Sequence, residues 1–264
     1  MNSPRFEPKA DNLFRIVHPA VYTTLSAEIR KAETAGASPV EMTGLLKDVL
    51  HKYPWHFEAA YRLAGLQQDV GDFQAACNTR FRACRHLMEL LPEEDEDSIA
   101  LDWEARENQA PMLLLHGSGI DHFLVYEFEM AAALFETLLD LDEEDHQNAS
   151  QPLACCYVAL NEPESFEAVW PDLDDKSAEK ALVALWAHLE FDRGFAPGEL
   201  AEFKQRFPEV YREFTADSHP VDEAYLADVD SERPSKAARA RLLWLQTEHL
   251  WAKYPEFVVA LKTS

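Results

Sequence analysis

The stretch that decides the fold is AYRLAGLQQDVGDFQAA, residues 60–76. Small side chains recur in it at Ala60, Ala64 and Ala76, and the pair Gly71-Asp72 separates two apolar segments. Apolar positions spaced by three and four predict a helix on each side of that pair, and glycine followed by aspartate is typical of a turn. The stretch therefore predicts a helical hairpin.

The segments before and after this hairpin continue the helical pattern. Residues 38–41, Ser-Pro-Val-Glu, offer an N-cap hydroxyl, a proline at the first helical position and a glutamate at the third, which together favour a helix start. Further upstream, an apolar stripe from Val21 to Ala32 ends before Gly36. Downstream, a long stripe from Phe73 to Leu91 is interrupted only by Arg80.

The rest of the chain predicts more helix pairs. A second hairpin is predicted over residues 110–141, with Gly117-Ser118-Gly119 as its turn. Shorter helices are predicted over residues 152–170 and 177–207, and a long closing helix over residues 234–252. No alternating stretch demands a strand, so the pattern predicts an all-α fold.

Residues 60–76 resemble a tetratricopeptide repeat, whose two helices meet at a Gly-Asp-aromatic turn followed by a small residue. The positions that match this motif are Leu63, Ala64, Gly71, Phe73, Ala76 and Ala83, whereas Ala60 replaces its tryptophan and Arg80 its second aromatic. The second half of the motif recurs at Phe128, Ala131, Phe135 and Leu138. The resemblance covers residues 39–207, and the closing segment is similar to that of some bacterial repeat proteins of unassigned role.

The spacing of the repeats marks the array as degenerate. Phe73 and Phe128 are 55 positions apart (128 − 73), against a period of about 34 residues for such repeats. Residues 93–97, Glu-Glu-Asp-Glu-Asp, form an acidic run within this interval. We therefore expect an N-terminal part at 1–92, an acidic connection at 93–109, and further helix pairs with capping helices at 110–264.

The resemblance implies a right-handed superhelix, or α-solenoid, of antiparallel hairpins that binds a partner protein on its concave face. That face is formed by the first helix of each pair. By motif register the inward positions are Glu58, Tyr61 and Gln68 in the best-matched repeat, and Gln151, Cys155 and His188 in the later pairs. His188 also lies near the apolar stripe of its own helix, which equally fits a core histidine.

Composition excludes several classes of function. The 264 residues include 48 acidic and 24 basic side chains, a formal net charge of −24, which repels nucleic-acid backbones. No apolar run approaches the roughly 20 residues of a membrane helix, and the start of the chain has no apolar signal segment. The four cysteines form no Cys-x-x-Cys pair, which fits a reducing compartment. We therefore expect a cytoplasmic protein with no cofactor.

Three hypotheses for function remain open at this stage. The leading one is a non-catalytic scaffold or adaptor. The second is a metal-dependent hydrolase using His116, His122 and Glu127, although their spacings lack the one-turn register of paired helical ligands. The third makes the acidic surface a regulator of a basic partner. A basic cluster at Arg80, Arg82, Arg85 and His86 is expected to pair with the acidic run rather than with an anionic partner segment.

Overall fold

The computed structural model describes residues 3–10, 13–91, 99–174 and 176–263. The chain divides into two compact units, Met1–Cys156 and Tyr157–Ser264. Helices dominate both units, which confirms the all-α expectation. The connection expected at 93–109 falls inside the first unit, and the acidic residues 93–97 lie outside the described ranges.

The helices of the first unit follow each other with short connections. They are α1 (Ala20–Thr34), α2 (Pro39–Lys52), α3 (Phe57–Asp69), α4 (Phe73–Met88), α5 (Arg106–Leu124), α6 (Phe128–Leu141) and α7 (Ser150–Leu160), the last of which runs across the division between the units.

The helix start predicted at Ser38 and the turn predicted at Gly71-Asp72 are both present. At α2, the Ser38 hydroxyl accepts from the Glu41 backbone N–H, and the Glu41 carboxylate accepts from the Ser38 N–H at 2.8 Å. At the turn between α3 and α4, Gly71 has a φ of +78° and the Asp72 side chain accepts from the Ala75 N–H at 3.2 Å. A glycine is favoured there because positive φ strains residues with a Cβ.

Consecutive hairpins of the first unit stack on one another. Helix α3 packs against α4, both pack against α5, and α5 packs against α6. The short turns make α3–α4 and α5–α6 antiparallel pairs. The first helices of these two pairs, α3 and α5, also contact each other. This is the packing of an α-solenoid, while its handedness stays a prediction.

The core at the start of the stack joins α1, α2 and α3. Leu46 and Val49 of α2 are fully buried between Leu25 and Ile29 of α1 and Leu63 of α3. Burying such a side chain contributes about 1.5–3 kcal/mol, so this cluster fixes the three helices against each other.

The expected turn at Gly117-Ser118-Gly119 is wrong. Helix α5 runs without a break through these residues, and the turn lies after it at Val125, Tyr126 and Glu127. The glycines instead allow neighbouring helices to approach closely. A Cβ at Gly119 would lie 2.5 Å from the Phe135 ring of α6, and one at Gly117 would lie 2.8 Å from the Arg80 side chain of α4.

Arg80 has a different partner from the one expected. Its guanidinium donates to both carboxylate oxygens of Asp121 on α5, at 2.6 and 2.7 Å. A two-bond pair of this kind fixes both side chains, so it ties α4 to α5 where Gly117 lets them approach.

A small three-stranded sheet, which the sequence pattern did not indicate, packs against the helices. Strands β1 (Arg5–Ala10) and β2 (Leu13–Val17) are antiparallel, and β3 (Ala100–Leu101) pairs parallel to β2. The Asn108 side chain of α5 accepts from the Ile16 N–H and donates to the Phe14 carbonyl, both at 2.9 Å. Because these contacts join distant parts of the chain, local periodicity could not reveal them.

The second unit has shorter helices and an aromatic core. Its helices are α8 (Pro163–Val169), α9 (Ala178–Asp192), α10 (Glu199–Arg206), α11 (Pro208–Phe214), α12 (Glu223–Val229), α13 (Lys236–Lys253) and α14 (Pro255–Thr263). Trp186, Phe214, Trp251 and Phe257 pack together in its interior. The long closing helix predicted at 234–252 corresponds to α13. Over the described part of the chain, no helix is both long and apolar enough to cross a membrane.

Candidate functional site

An open groove of about 380 Å³ lies along α1, α3 and α5. We call it the inner groove, because these are the first helices of successive hairpins. The side chains that define it are Tyr22, Arg30, Glu58, Tyr61, Arg62 and Arg106. The inner groove therefore brings together two of the six expected contact residues, Glu58 and Tyr61.

Three of the groove residues share one face of α3. Glu58, Tyr61 and Arg62 stand at positions i, i+3 and i+4, which are neighbours on a helix surface. Tyr61 is 46% exposed, whereas Leu63 on another side of the helix is buried in the core. A large aromatic side chain in the lining of the groove is therefore exposed to solvent.

Opposite charges are paired along the inner groove. Arg62 forms ion pairs with Glu33 of α1 and with Glu58, and the second pair is 2.7 Å long. Arg106 of α5 is 3.6 Å from the same Glu58 carboxylate, with 78% of its side chain exposed. Glu58 therefore lies between two guanidinium groups and holds side chains of α3 and α5 in place.

The guanidinium groups of the inner groove influence one another. Burial, together with the positive charges of Arg106 and Arg30, lowers the pKa of Arg62. Arginine remains charged at neutral pH despite such a shift. Three positive groups are thus close enough to interact in a strongly acidic chain, although carboxylates offset part of their charge.

A stack of three aromatic rings lies against the inner groove. The Tyr22 ring is stacked between His18, with centroids 3.9 Å apart, and His56, with centroids 4.2 Å apart. The Tyr22 hydroxyl is 3.5 Å from the Glu58 carboxylate. The stack therefore links the start of α1 to α3 and supports one wall of the groove.

Both histidines of the stack are neutral at physiological pH. Burial lowers the pKa of His56 to about 4. Burial, helped by the neighbouring His56, lowers the pKa of His18 to about 4 as well. Burial also raises the pKa of Tyr22 to about 12. The stack is thus an uncharged element behind a charged groove.

Ser26 and His56 form a contact that resembles the serine–histidine pair of a hydrolase, but the hydrogen bond runs in the opposite direction. His56 Nε2 is 3.1 Å from the Ser26 hydroxyl, while His56 Nδ1 accepts from the Ala59 backbone N–H. Because Nδ1 accepts, the ring proton of the neutral histidine lies on Nε2 and is donated toward Ser26. His56 thus caps α3 and does not accept a proton from Ser26.

The other expected contact residues lie elsewhere. Gln68, at the far end of α3, accepts from Arg80 at 3.3 Å and does not line the inner groove. Gln151 is half-buried on α7. Cys155 is only 6% exposed, so its thiol packs in the interior rather than on a binding face. His188, in the second unit, lies 2.7 Å from the Glu199 carboxylate.

The three residues of the hydrolase hypothesis do not form a metal site. His122 and Glu127 contact each other at 2.6 Å, whereas His116 packs against the Phe135 ring. Among the described residues, no group of three or more histidine, cysteine or acidic side chains could hold a metal ion. The hydrolase hypothesis is therefore wrong in its choice of ligands.

The buried thiols are poor nucleophiles. Burial raises the pKa of Cys84 and of Cys155 to about 12. Because only the thiolate attacks, such groups are unreactive at neutral pH. They act as small apolar fillers between helices.

The sequence analysis missed four of the six residues that define the inner groove. Arg62 stands beside the predicted Tyr61 on α3, whereas Tyr22 and Arg30 come from α1 and Arg106 from the start of α5, which lie outside the best-matched repeat. The order of the helices could have indicated these residues. If hairpins stack regularly, their first helices α1, α3 and α5 lie on the same face of the stack.

Of three comparisons with known proteins, only the one with solved structures gives a match. No family model matches the sequence, and no curated protein matches it. Among solved structures, a tetratricopeptide repeat protein from Parabacteroides merdae is similar, with a TM-score of 0.46 and 16% sequence identity. The match covers 92% of this chain and 94% of that chain.

Proposed function

We propose that this chain is a binding protein that holds a segment of another protein in the inner groove. The observation that carries the proposal is the exposed Tyr61 ring beside the guanidinium groups of Arg62 and Arg106. Tyrosine and arginine are enriched among the residues that dominate interface energies, because each offers a large contact area together with hydrogen bonds.

The groove is arranged before a partner arrives. Arg62 is paired with both Glu33 and Glu58, and the wall of the groove is supported by the stacked rings of His18, Tyr22 and His56. A surface whose side chains are already ordered loses less conformational entropy on binding. This supports a role in recognition rather than in covalent chemistry.

Site-specific photocrosslinking tests the proposal directly. A photoreactive phenylalanine at position 61 is expected to form a discrete protein adduct in an extract of the source organism. The same group at position 73, where Phe73 is exposed at the start of α4, serves as the control. Adducts of equal yield from both positions, or none from position 61, would reject the inner groove as the binding site.

The captured partner then gives a quantitative test. We expect Tyr61→Ala to weaken its binding by about 30-fold, which corresponds to the roughly 2 kcal/mol of an interface hot spot. Phe73→Ala is expected to leave the affinity unchanged. If the acidic surface were the binding element instead, affinity would fall with added salt and would not respond to Tyr61→Ala.

A further inference from the structure

A second groove lies on the other side of α3. It has a volume of about 600 Å³ and is bounded by α2, α3 and α4. We call it the outer groove and define it by Lys47, His51, Leu63, Gln67, Arg82 and His86. It is larger than the inner groove and shares none of its lining residues.

The walls of the outer groove carry positive and titratable groups in matching rows. Lys47 and His51 are one turn apart on α2, and Arg82 and His86 are one turn apart on α4. No acidic side chain is among the described residues that line it, in a chain with a formal net charge of −24. Helix α4 itself contains three arginines and no acidic residue.

The fixed cations of the outer groove are not neutralised. Within the described ranges, the side chains of Lys47 and Arg82 make no ion pair or hydrogen bond, and both residues are exposed. This contrasts with Arg62 and Arg80, which are paired with carboxylates. Of the two histidines, His86 has a carboxylate nearby, Glu89 at 3.1 Å.

The floor between these rows is apolar. Leu63 and Ala60 of α3 form its base, with Leu50 and Pro54 beside them. The Thr79 hydroxyl donates to the Gln67 side chain at 2.8 Å and fixes the polar end of the floor. An apolar floor between basic walls fits a segment with apolar side chains on one side and carboxylates on its flanks.

We infer that the outer groove binds an acidic, amphipathic segment of a partner protein. Its α4 wall, from Ala75 to His86, is about 16 Å long at 1.5 Å per residue, enough for roughly three turns of helix. The two fixed cations stand on opposite walls, Lys47 on α2 and Arg82 on α4, with the apolar floor between them. A nucleic acid is opposed by the charge of the whole chain.

A displayed library of random peptides, selected on the intact protein, tests this inference. We expect the enriched peptides to combine Asp or Glu with large apolar residues. The affinity of a synthetic copy is then measured by fluorescence anisotropy. We expect a loss of about 30-fold in the variant Lys47→Glu/Arg82→Glu, since like charges replace attractive ones.

The chain offers a matched control on the same two helices. Lys52→Glu/Arg85→Glu makes the same charge change at exposed positions that do not line the outer groove. We expect this control, and Tyr61→Ala in the inner groove, to change the affinity by less than about threefold. Equal losses in both charge-reversed variants would overturn the inference, because binding would then depend only on net charge.

Two further outcomes would also overturn it. Competition by inorganic phosphate at millimolar concentration would indicate a small-anion site. A gain of about tenfold in peptide affinity on replacing the acids of residues 93–97 by Gln and Asn would indicate that the chain's own acidic run is the occupant. Because Tyr61→Ala alters only the inner groove, its effect on the peptide separates this test from the test of the proposed function.

Discussion

Helix α3 presents different chemistry on its two sides. Toward α1 and α5 it offers the exposed Tyr61 ring together with Glu58 and Arg62. These two charged side chains pair with each other and with side chains of α1 and α5. Toward α2 and α4 it offers the apolar floor at Leu63, and the cations above that floor lack carboxylate partners in the described structure. The inner groove is thus ordered by its own ion pairs, whereas the outer groove keeps its charge available. We expect shape to decide binding in the first and charge in the second.

The largest expected difference between the two sides concerns stability. Leu63→Ala removes a side chain that is 3% exposed, so we expect the free energy of unfolding to fall by about 2–5 kcal/mol. Tyr61→Ala, two positions away, is expected to change it by no more than about 0.5 kcal/mol. Urea denaturation of both variants measures this. Similar losses would mean that the two sides of α3 are not core and surface as described.

Acidification should act on the stack behind the inner groove. His18 and His56 have pKa values lowered to about 4, so the folded chain binds fewer protons than the unfolded one between pH 4 and about 6.5. The stability they contribute is complete above pH 6.5 and is lost as the pH falls toward 4. For His56 alone the loss is at most about 3 kcal/mol.

The variant His56→Asn isolates this effect. Asparagine can still cap α3 but does not titrate. We expect the stability of this variant to fall less steeply than that of the wild type between pH 6.5 and 4.5, whatever its absolute value. Parallel curves would show that His56 is not held neutral by burial.

Helices α3 and α5 should differ in how well they tolerate the replacement of a glycine by alanine. Gly119→Ala in α5 would press a Cβ against Phe135, and we expect a loss of about 1–3 kcal/mol. Gly65 of α3 has no atom within 4 Å of such a Cβ, so Gly65→Ala should stabilise the protein by about 0.5–1 kcal/mol. Thermal unfolding distinguishes the two signs, and stabilisation by both substitutions would contradict the packing of α5 on α6.

A smaller effect than that of Gly119→Ala is expected in the floor of the outer groove. Thr79→Val keeps the shape of the side chain and removes its hydrogen bond to Gln67, so we expect a loss of about 1 kcal/mol. The same change at Thr137, whose hydroxyl donates only to the Ala133 carbonyl of its own helix, is the control. An equal result at both positions would show that the Gln67 contact adds nothing.

Local signals predicted the hairpin of α3 and α4 well. The turn at Gly71-Asp72 and the cap at Ser38 depend on residues within a few positions of each other, so the sequence alone could specify them. The error at Gly117-Ser118-Gly119 has the opposite origin. Glycine marks both turns and close helix contacts, and only the positions of Arg80 and Phe135 on other helices distinguish the two.

The lining of the two candidate grooves was only partly predictable, for the same reason. Register within the repeat gave Glu58 and Tyr61, because they lie on a face of one helix. Arg106 could not be found in this way, since its place beside Glu58 depends on how α5 packs against α3. The outer groove could not be predicted either. It lies between α2 and α4 over α3, and the residue spacing within one helix does not show how three helices pack.

The central claim is that the two sides of α3 bind separately, and a titration of two ligands against two variants tests it most directly. The ligands are the protein captured at position 61 and the peptide selected on the outer groove. Tyr61→Ala should weaken only the first, and Lys47→Glu/Arg82→Glu only the second, each by about 30-fold. If one variant weakens both ligands equally, the two grooves are not independent sites and the account is contradicted.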